Sequence, residues 1–382
     1  MSTYLDYNAS SPIDERVIDC MFDIYRNHIG NADSRTHDFG DNARGFVEDA
    51  RKSVADLLAV PSEDVFFTSG ATESNNIVIQ GLKDYGEKTG TSHIITTSIE
   101  HKAVLETVKH MQKIGFKVDF VSPNHSGRIS ADEVLSLVTD DTLLVSVMHV
   151  NNETGIIQPV DIIGEELEKK DVLFHIDATQ SCGKLVDEIK SLKYDMLSFS
   201  SHKMYGPQGI GALVLRRKNY KLPPVKPIMY GGQQEHGISP GTIPVALVGG
   251  FGKACELAEQ EYKNDEQHNR KIRDMLIGML NESGLKYQVN GDIDCSIAST
   301  LNIRMEGVSS EALMLSTKTY CGVSNGSACT SSIYAPSYVL VAMGLSDEEI
   351  DQSIRLSWGR NTAMDSLRSD FESLLEVAKG LV

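Results

Sequence analysis

Between Asp64 and Arg216 the sequence alternates between short apolar runs rich in β-branched and aromatic residues and longer segments of helical spacing. The runs read DVFFTS, HIITTS, KVDFVS, TLLVSVMHV, DVLFHID, DMLSFS and GALVLR, with segments such as 103–114 and 161–170 between them. Continuous apolar character marks strands covered on both faces. Helices placed between successive strands favour a parallel sheet. The expected fold class is α/β, a mostly parallel sheet flanked by helices. With 382 residues the chain exceeds one ordinary core, and beyond about Lys253 the pattern changes. Residues 254–282 read as a long, charged connecting helix. Ser346 and Glu349 have capping-box spacing. Phe371, Leu374, Leu375 and Ala378 repeat as one helix face. We expect a large domain over 14–255 and a smaller α+β domain built from 1–13 and 256–382. Within the latter, about 322–336 is rich in Gly, Ser, Ala and Thr and reads as a loop.

In an open parallel sheet, ligands bind just beyond the carboxyl ends of the strands. DVFFTS runs into Gly70-Ala71-Thr72, HIITTS into Glu100-His101 and TLLVSVMHV into Asn151-Asn152. DVLFHID ends on Asp177, with Gln180 shortly after, and DMLSFS leads to Ser201-His202-Lys203. Taken singly, each has an ordinary reading: a strand-end Asp caps a helix, a Lys beside Gly-Pro is solvated, a loop His does nothing. Together they line one edge of one expected sheet and suit a single polar, anionic, aromatic ligand. A helix opening at Gly70-Ala71-Thr72 offers free N–H groups and a favourable dipole to a phosphate, and Ser200 and His202 add donors. Asp177 suits a protonated ring nitrogen, Lys203 an aldehyde, and His101 a ring face and proton movement.

A formal net charge of −17 disfavours non-specific binding to phosphate backbones, so we expect no direct nucleic-acid ligand. No apolar run has the length of a membrane span, and the N-terminal MSTYLDYNASSP lacks the form of a secretory signal. The six cysteines (Cys20, Cys182, Cys255, Cys295, Cys321, Cys329) are scattered without zinc-like spacing, so no metal site is expected and a reducing cytoplasm is the natural setting. Cys329 sits in the polar NGSACTSS segment, where a thiol is accessible, whereas Cys321 follows the apolar-patterned LMLSTKTY and suits burial.

The ordered set TSGATESNN, EHKAVL, HVNNETG, HIDATQ, SFSSHKMYGPQGIGAL, NGSACTSS and IRLSWGR resembles the motifs of cysteine desulfurases of the NifS/IscS type. The likeness runs from YLDYNASSP to the last helix. It implies a fold-type I PLP-dependent transferase that uses pyridoxal 5'-phosphate (PLP), with L-cysteine as substrate. By that resemblance Lys203 binds the cofactor covalently, Asp177 pairs with the ring nitrogen, Gln180 bonds the ring oxygen and His101 stacks on the ring. Ala71, Thr72, Ser200 and His202 hold the phosphate, and Asn152 lies near ring and substrate. Asn31 and Arg355 are implied as substrate-carboxylate anchors, suiting the bidentate fork of an Arg. The resemblance further implies a homodimer, with Thr242 reaching the neighbouring subunit's phosphate. Cys329 as thiolate takes the substrate sulfur as a persulfide, leaving L-alanine, and passes it to a sulfur-acceptor protein. The long form of the NGSACTSSIYAPS segment fits such direct delivery. Iron–sulfur assembly, tRNA thiolation and DNA phosphorothioation are the pathways open to it. The chain stops soon after its last helix, which favours a dedicated pathway over general iron–sulfur assembly. One departure stands out: His236, Ser239 and Pro240 occupy places where the family usually carries arginines. Selenocysteine lyases and other PLP lyases or aminotransferases share the framework, and a non-catalytic scaffold is the reading from outside the enzymes.

Overall fold

The computed structural model describes residues 3–170, 172–325 and 336–382. Each of the seven apolar runs is a strand: β1 (Val65–Thr68), β2 (His93–Thr97), β3 (Lys117–Val121), β4 (Thr142–Met148), β5 (Leu173–Asp177), β6 (Met196–Ser200) and β7 (Gly211–Leu215). They form one sheet in the order β1-β7-β6-β5-β4-β2-β3. The pairs β2/β3, β2/β4, β4/β5 and β5/β6 are parallel. β7 alone runs against both of its neighbours, β6 and β1. The parallel expectation therefore fails at GALVLR. The linker from Ser200 to Gly211 is shorter than the dozen or more residues a parallel crossover needs, while an antiparallel neighbour accepts it.

Alternate strand residues point to opposite faces, and both faces are covered. Phe66, Ile94, Leu144 and Leu213 pack under the helices Ala71–Gly81 and Lys102–Lys113. Phe67, Ile95, Val145 and Val214 pack on the other side with Val47, Val54 and Phe251, from the helices Asp38–Leu58 and Val245–Ser283.

A second sheet, β8 (Tyr287–Val289), β9 (Thr300–Met305) and β10 (Ser353–Ser357), is antiparallel in the order β10-β9-β8. Its core contains Leu301, Ile303, Ile354, Leu356 and Trp358 with Phe371 and Leu374 of the helix Met364–Lys379. Leu5 belongs to this core, and Thr3–Tyr4 pairs in parallel with Cys321–Gly322, so the N-terminal strand is stitched to the C-terminal half. The capping box of Ser346 and Glu349 is present, but its helix is short, Asp347–Asp351, and gives way to β10. Val339, Leu340, Met343 and Ile350 pack into the large core with the first sheet.

The helix Val245–Ser283 joins the two cores and starts well before residue 254. Its early turns contain Gly249, Gly250 and Gly252, which conceal helical periodicity in the sequence. The reason for one of them is contact distance. A Cβ on Gly252 would lie 2.5 Å from Ala50 Cα, so only glycine allows the two helices to touch.

Candidate active site

The sheet directs its functional residues to one cavity of about 440 Å³. Ala71, Thr72, His101, Asn152, Asp177, Gln180, Ser200, His202, Lys203 and Arg355 all line it.

One end is a phosphate-sized cradle. Gly70 is the N-cap of the helix Ala71–Gly81, with φ 152°. A Cβ on Gly211, at the start of β7, would sit 2.7 Å from Gly70 Cα, so glycine at 211 lets the two turns meet, while Gly70 is fixed by its positive φ. The first N–H groups of the helix then stand free at the cavity wall beside the Ser200 side chain. Ser69, Gln208 and Gly209 complete this end. His202 Nδ1 lies 3.3 Å from Ser10 Oγ. Burial, and then the charge of Lys203, pull its imidazole down to about 4. A neutral ring at pH 7 serves as a hydrogen-bonding group and carries no charge.

The floor carries the carboxylate. Asp177 ends β5, is 4% exposed, and accepts from Asn75 Nδ2 at 2.8 Å and from the Thr179 backbone N–H at 3.0 Å. Above it, His101 caps the helix Lys102–Lys113, its Nδ1 accepting from Ala103 N at 3.1 Å. That bond leaves Nε2 to carry the proton of the neutral ring. Burial lowers the His101 pKa, and Asp177 opposes the shift. Lys203 Nζ donates to Asn8 O at 2.6 Å and Ala9 O at 2.8 Å. Gln180 Nε2 donates to the same Asn8 O at 3.0 Å.

The rim carries the cation. Arg355, on β10, is 2% exposed; its Nη2 bonds Asp6 Oδ1 at 2.6 Å and its Nη1 the Asn152 backbone O at 2.9 Å. Three buried polar atoms of cavity residues have no partner among the described residues: Arg355 Nε, Asn152 Oδ1 and Thr179 Oγ1. Leaving such atoms unpaired is costly, and an amino-acid substrate and a polar cofactor fit them. The donors at the helix N-terminus, the amine of Lys203 and the carboxylate of Asp177 match a phosphate, an aldehyde and a ring nitrogen, so the residues present fit PLP.

Two expected site residues lie elsewhere. Asn31 is exposed, its Oδ1 accepting from Asp33 N at 2.9 Å, and Thr242 is exposed just before the helix Val245–Ser283; neither lines the cavity. Cys329 falls outside the described residues. In the departing segment, Ser239 Oγ donates to Glu73 Oε1 at 2.8 Å, while Glu235 is buried against Arg51.

Other residues received no role from the sequence. Asn8 and Ala9 provide the carbonyls that hold Lys203, although they stand within the quoted YLDYNASSP. Glu100 is fully buried, accepting from Thr97 Oγ1 at 2.8 Å and Met148 N at 2.9 Å; burial pushes it up to about 8. Glu153, pushed up to about 7 by burial, accepts from Ser337 Oγ. Each adjoins a site residue, His101 or Asn152, and that adjacency was the only available signal.

Comparison with known proteins agrees with this geometry. Residues 3–368 match the family Aminotransferase class-V. The chain is 41% identical over 382 residues to a cysteine desulfurase IscS of Colwellia psychrerythraea, covering 99% of this chain and 92% of that one. This chain belongs to the class-V aminotransferases, among the cysteine desulfurases of the NifS/IscS type. Among solved structures, a NifS-like protein superposes with a TM-score of 0.91 at 34% identity over 100% of both chains. A structure described as SspA in complex with cysteine gives 0.81 at 35% identity, covering 93% of this chain and 98% of that one. The α/β architecture of fold-type I PLP enzymes is thus the architecture of this cysteine desulfurase relative.

Proposed function

We propose that the protein converts L-cysteine to L-alanine, with PLP bound through Lys203 and the sulfur taken as a persulfide on Cys329. The observation that carries this reading is the convergence of Lys203, Asp177, the helix N-terminus at Ala71-Thr72 and Arg355 on one cavity. When bound, PLP supplies an electron sink that makes the substrate Cα proton acidic.

The chain's residues do the remainder. Arg355 takes the substrate carboxylate, with its Nε still unpartnered; Asn152, whose Oδ1 is an acceptor in want of a donor, lies near the ring and the substrate. Asp177 holds a proton on the ring nitrogen. Gln180 donates to the ring oxygen, and Ala71, Thr72, Ser200 and His202 hold the phosphate. Lys203, displaced by substrate, moves the Cα proton. His101, neutral near pH 7, exchanges a proton with the sulfur. The Cys329 thiolate attacks the substrate sulfur; the new S–S bond forms as the Cβ–S bond breaks, and carbon, after protonation, leaves as alanine.

We read the active form as a homodimer. Phe22 and Tyr25, three residues apart on the helix Glu15–Asn27, and Ile29 just beyond its end are 55%, 63% and 78% exposed, the kind of apolar surface a second copy covers. Thr242, exposed in this subunit, is then available to the neighbour's phosphate, and Asn31 to substrate only if the assembly brings it near. The onward acceptor is a protein, since an acidic surface does not favour nucleic acid directly. No helix among the described residues is long and apolar enough to cross a membrane, and we assign the protein to the cytoplasm.

The test is a pair of variants supplied with L-cysteine and PLP. Lys203→Ala should lose the visible absorption of lysine-bound cofactor. Cys329→Ser should keep the colour but form neither persulfide nor alanine. Unchanged alanine formation by Cys329→Ser would refute the mechanism.

A further inference from the structure

Lys184 lies one turn beyond Gln180, after β5, and its ammonium donates to Gln180 Oε1 at 3.1 Å. Among the described residues no carboxylate lies within ion-pair distance of it, which is unusual for an amine held this close to a buried site. Burial, and then the nearby charge of Lys203, pull its pKa down to about 7. Gln180 is itself 3% exposed, and its other end donates through Nε2 to Asn8 O. That same carbonyl accepts from Lys203.

The donor count makes this arrangement directional. While protonated, Lys184 can only donate, so the amide turns its oxygen toward it, as the 3.1 Å contact has it. Its NH₂ then faces the cavity with two hydrogens; Asn8 O takes one and one remains. A flipped amide would press its oxygen against Asn8 O and leave the Lys184 amine without an acceptor. The first loss is uncompensated, since Gln180 and Asn8 are both buried.

We propose that Lys184 is a positioning residue for the cofactor: by holding Gln180 Oε1 it commits the free Nε2 hydrogen to the ring oxygen of PLP. This rests on the reading that PLP occupies the cavity with Gln180 at its ring oxygen. Lys184 itself touches neither ring nor substrate in that arrangement. Its influence is transmitted through the amide and through its charge, which sits just behind it.

The consequence is readable without turnover. A donor on the ring oxygen, backed by a positive charge, disfavours an extra proton on the neighbouring lysine-bound nitrogen. Removing both raises the pH at which the visible band of the bound cofactor titrates. In the full-length, PLP-loaded protein, Lys184→Met should move that midpoint upward by about half a unit or more. Lys184→Arg, which keeps a cationic donor, should return it toward the wild-type value. In a Gln180→Ala background the same Lys184→Met change should add less to the midpoint than it does alone, since the part carried by the amide is already gone and only the part carried by charge remains.

A midpoint unmoved in Lys184→Met, or a shift equally large with and without Gln180, would overturn the assignment while leaving PLP binding intact. Should Lys184→Met fail to fold, Lys184→Arg and Lys184→Gln carry the test: Arg holding the wild-type midpoint and Gln, an uncharged donor, moving it part of the way supports the proposal, and no movement in Gln overturns it. Wild-type protein that takes up no PLP would instead refute the underlying reading.

Discussion

Asn75 stands directly behind Asp177, its Nδ2 2.8 Å from Oδ2, and so holds the carboxylate from the helix that also opens the phosphate cradle. One helix therefore sets both ends of the cofactor site. Asn75→Ala removes a hydrogen bond to a charged group, worth roughly 1.5–3 kcal/mol. We expect PLP affinity to fall about tenfold to a hundredfold, measured by titrating apoprotein with PLP, while far-UV circular dichroism stays unchanged.

Arg355 lines the cavity, is committed to Asp6 through Nη2, and keeps a buried Nε without a partner among the described residues. Arg355→Lys keeps the charge but loses the fork. The expected result is a rise in KM for cysteine of roughly tenfold or more, with a smaller change in kcat, because a carboxylate anchor binds substrate and transition state alike. Steady-state kinetics decides it; an unaltered KM would remove Arg355 from the substrate site.

Glu100 gives a pH-dependent prediction whose sign follows from its raised pKa. The unfolded chain loses this proton near the ordinary value of 4.5, the folded chain only near 8. Between these values the native state binds more protons, so stability contributed by this group falls as pH rises and levels off above about 8. Glu100→Gln keeps the acceptor used by Thr97 and Met148 and has no proton to lose. Its stability relative to wild type should increase from pH 5 to pH 8, by on the order of a few kcal/mol at most. Thermal melts across that range measure it; a constant difference would show that Glu100 does not titrate there.

Cys321 is buried and its thiol is pushed up to about 12, chiefly by burial. Cys182 and Cys255 are buried with thiols raised further by the same cause. In the native protein at pH 7.5 iodoacetamide should leave all three unmodified, and Cys321→Ser should retain persulfide formation. Peptide mapping after alkylation checks the first and a persulfide assay the second.

The sheet was legible because its strands are buried on both faces. Phe66 and Phe67 serve opposite cores, and that requirement produces the unbroken apolar runs. The strand-end residues could be read for the same reason, since the chain has to become polar where it leaves the sheet. Tertiary partners were hidden. Nothing local in YNASSP announces that Asn8 and Ala9 hold Lys203 through their carbonyls, because backbone groups carry no sequence signature. The early turns around Gly249–Gly252 lost helical character for a contact made with Ala50, a distant residue. Antiparallel β7 was decipherable only from linker length, and Asn31 shows how a family motif can be present while its side chain stays outside the cavity of a single subunit.

The helix Val245–Ser283 roots Phe251 in one core and Leu276 in the other, without a proline along its length. Bending it between those anchors would break main-chain hydrogen bonds and strip apolar side chains from both ends. The two halves therefore share a spine, and heat or denaturant should dismantle them in a single cooperative step. The frame that carries Lys203 and Arg355 on either side of the cavity therefore cannot swing open cheaply.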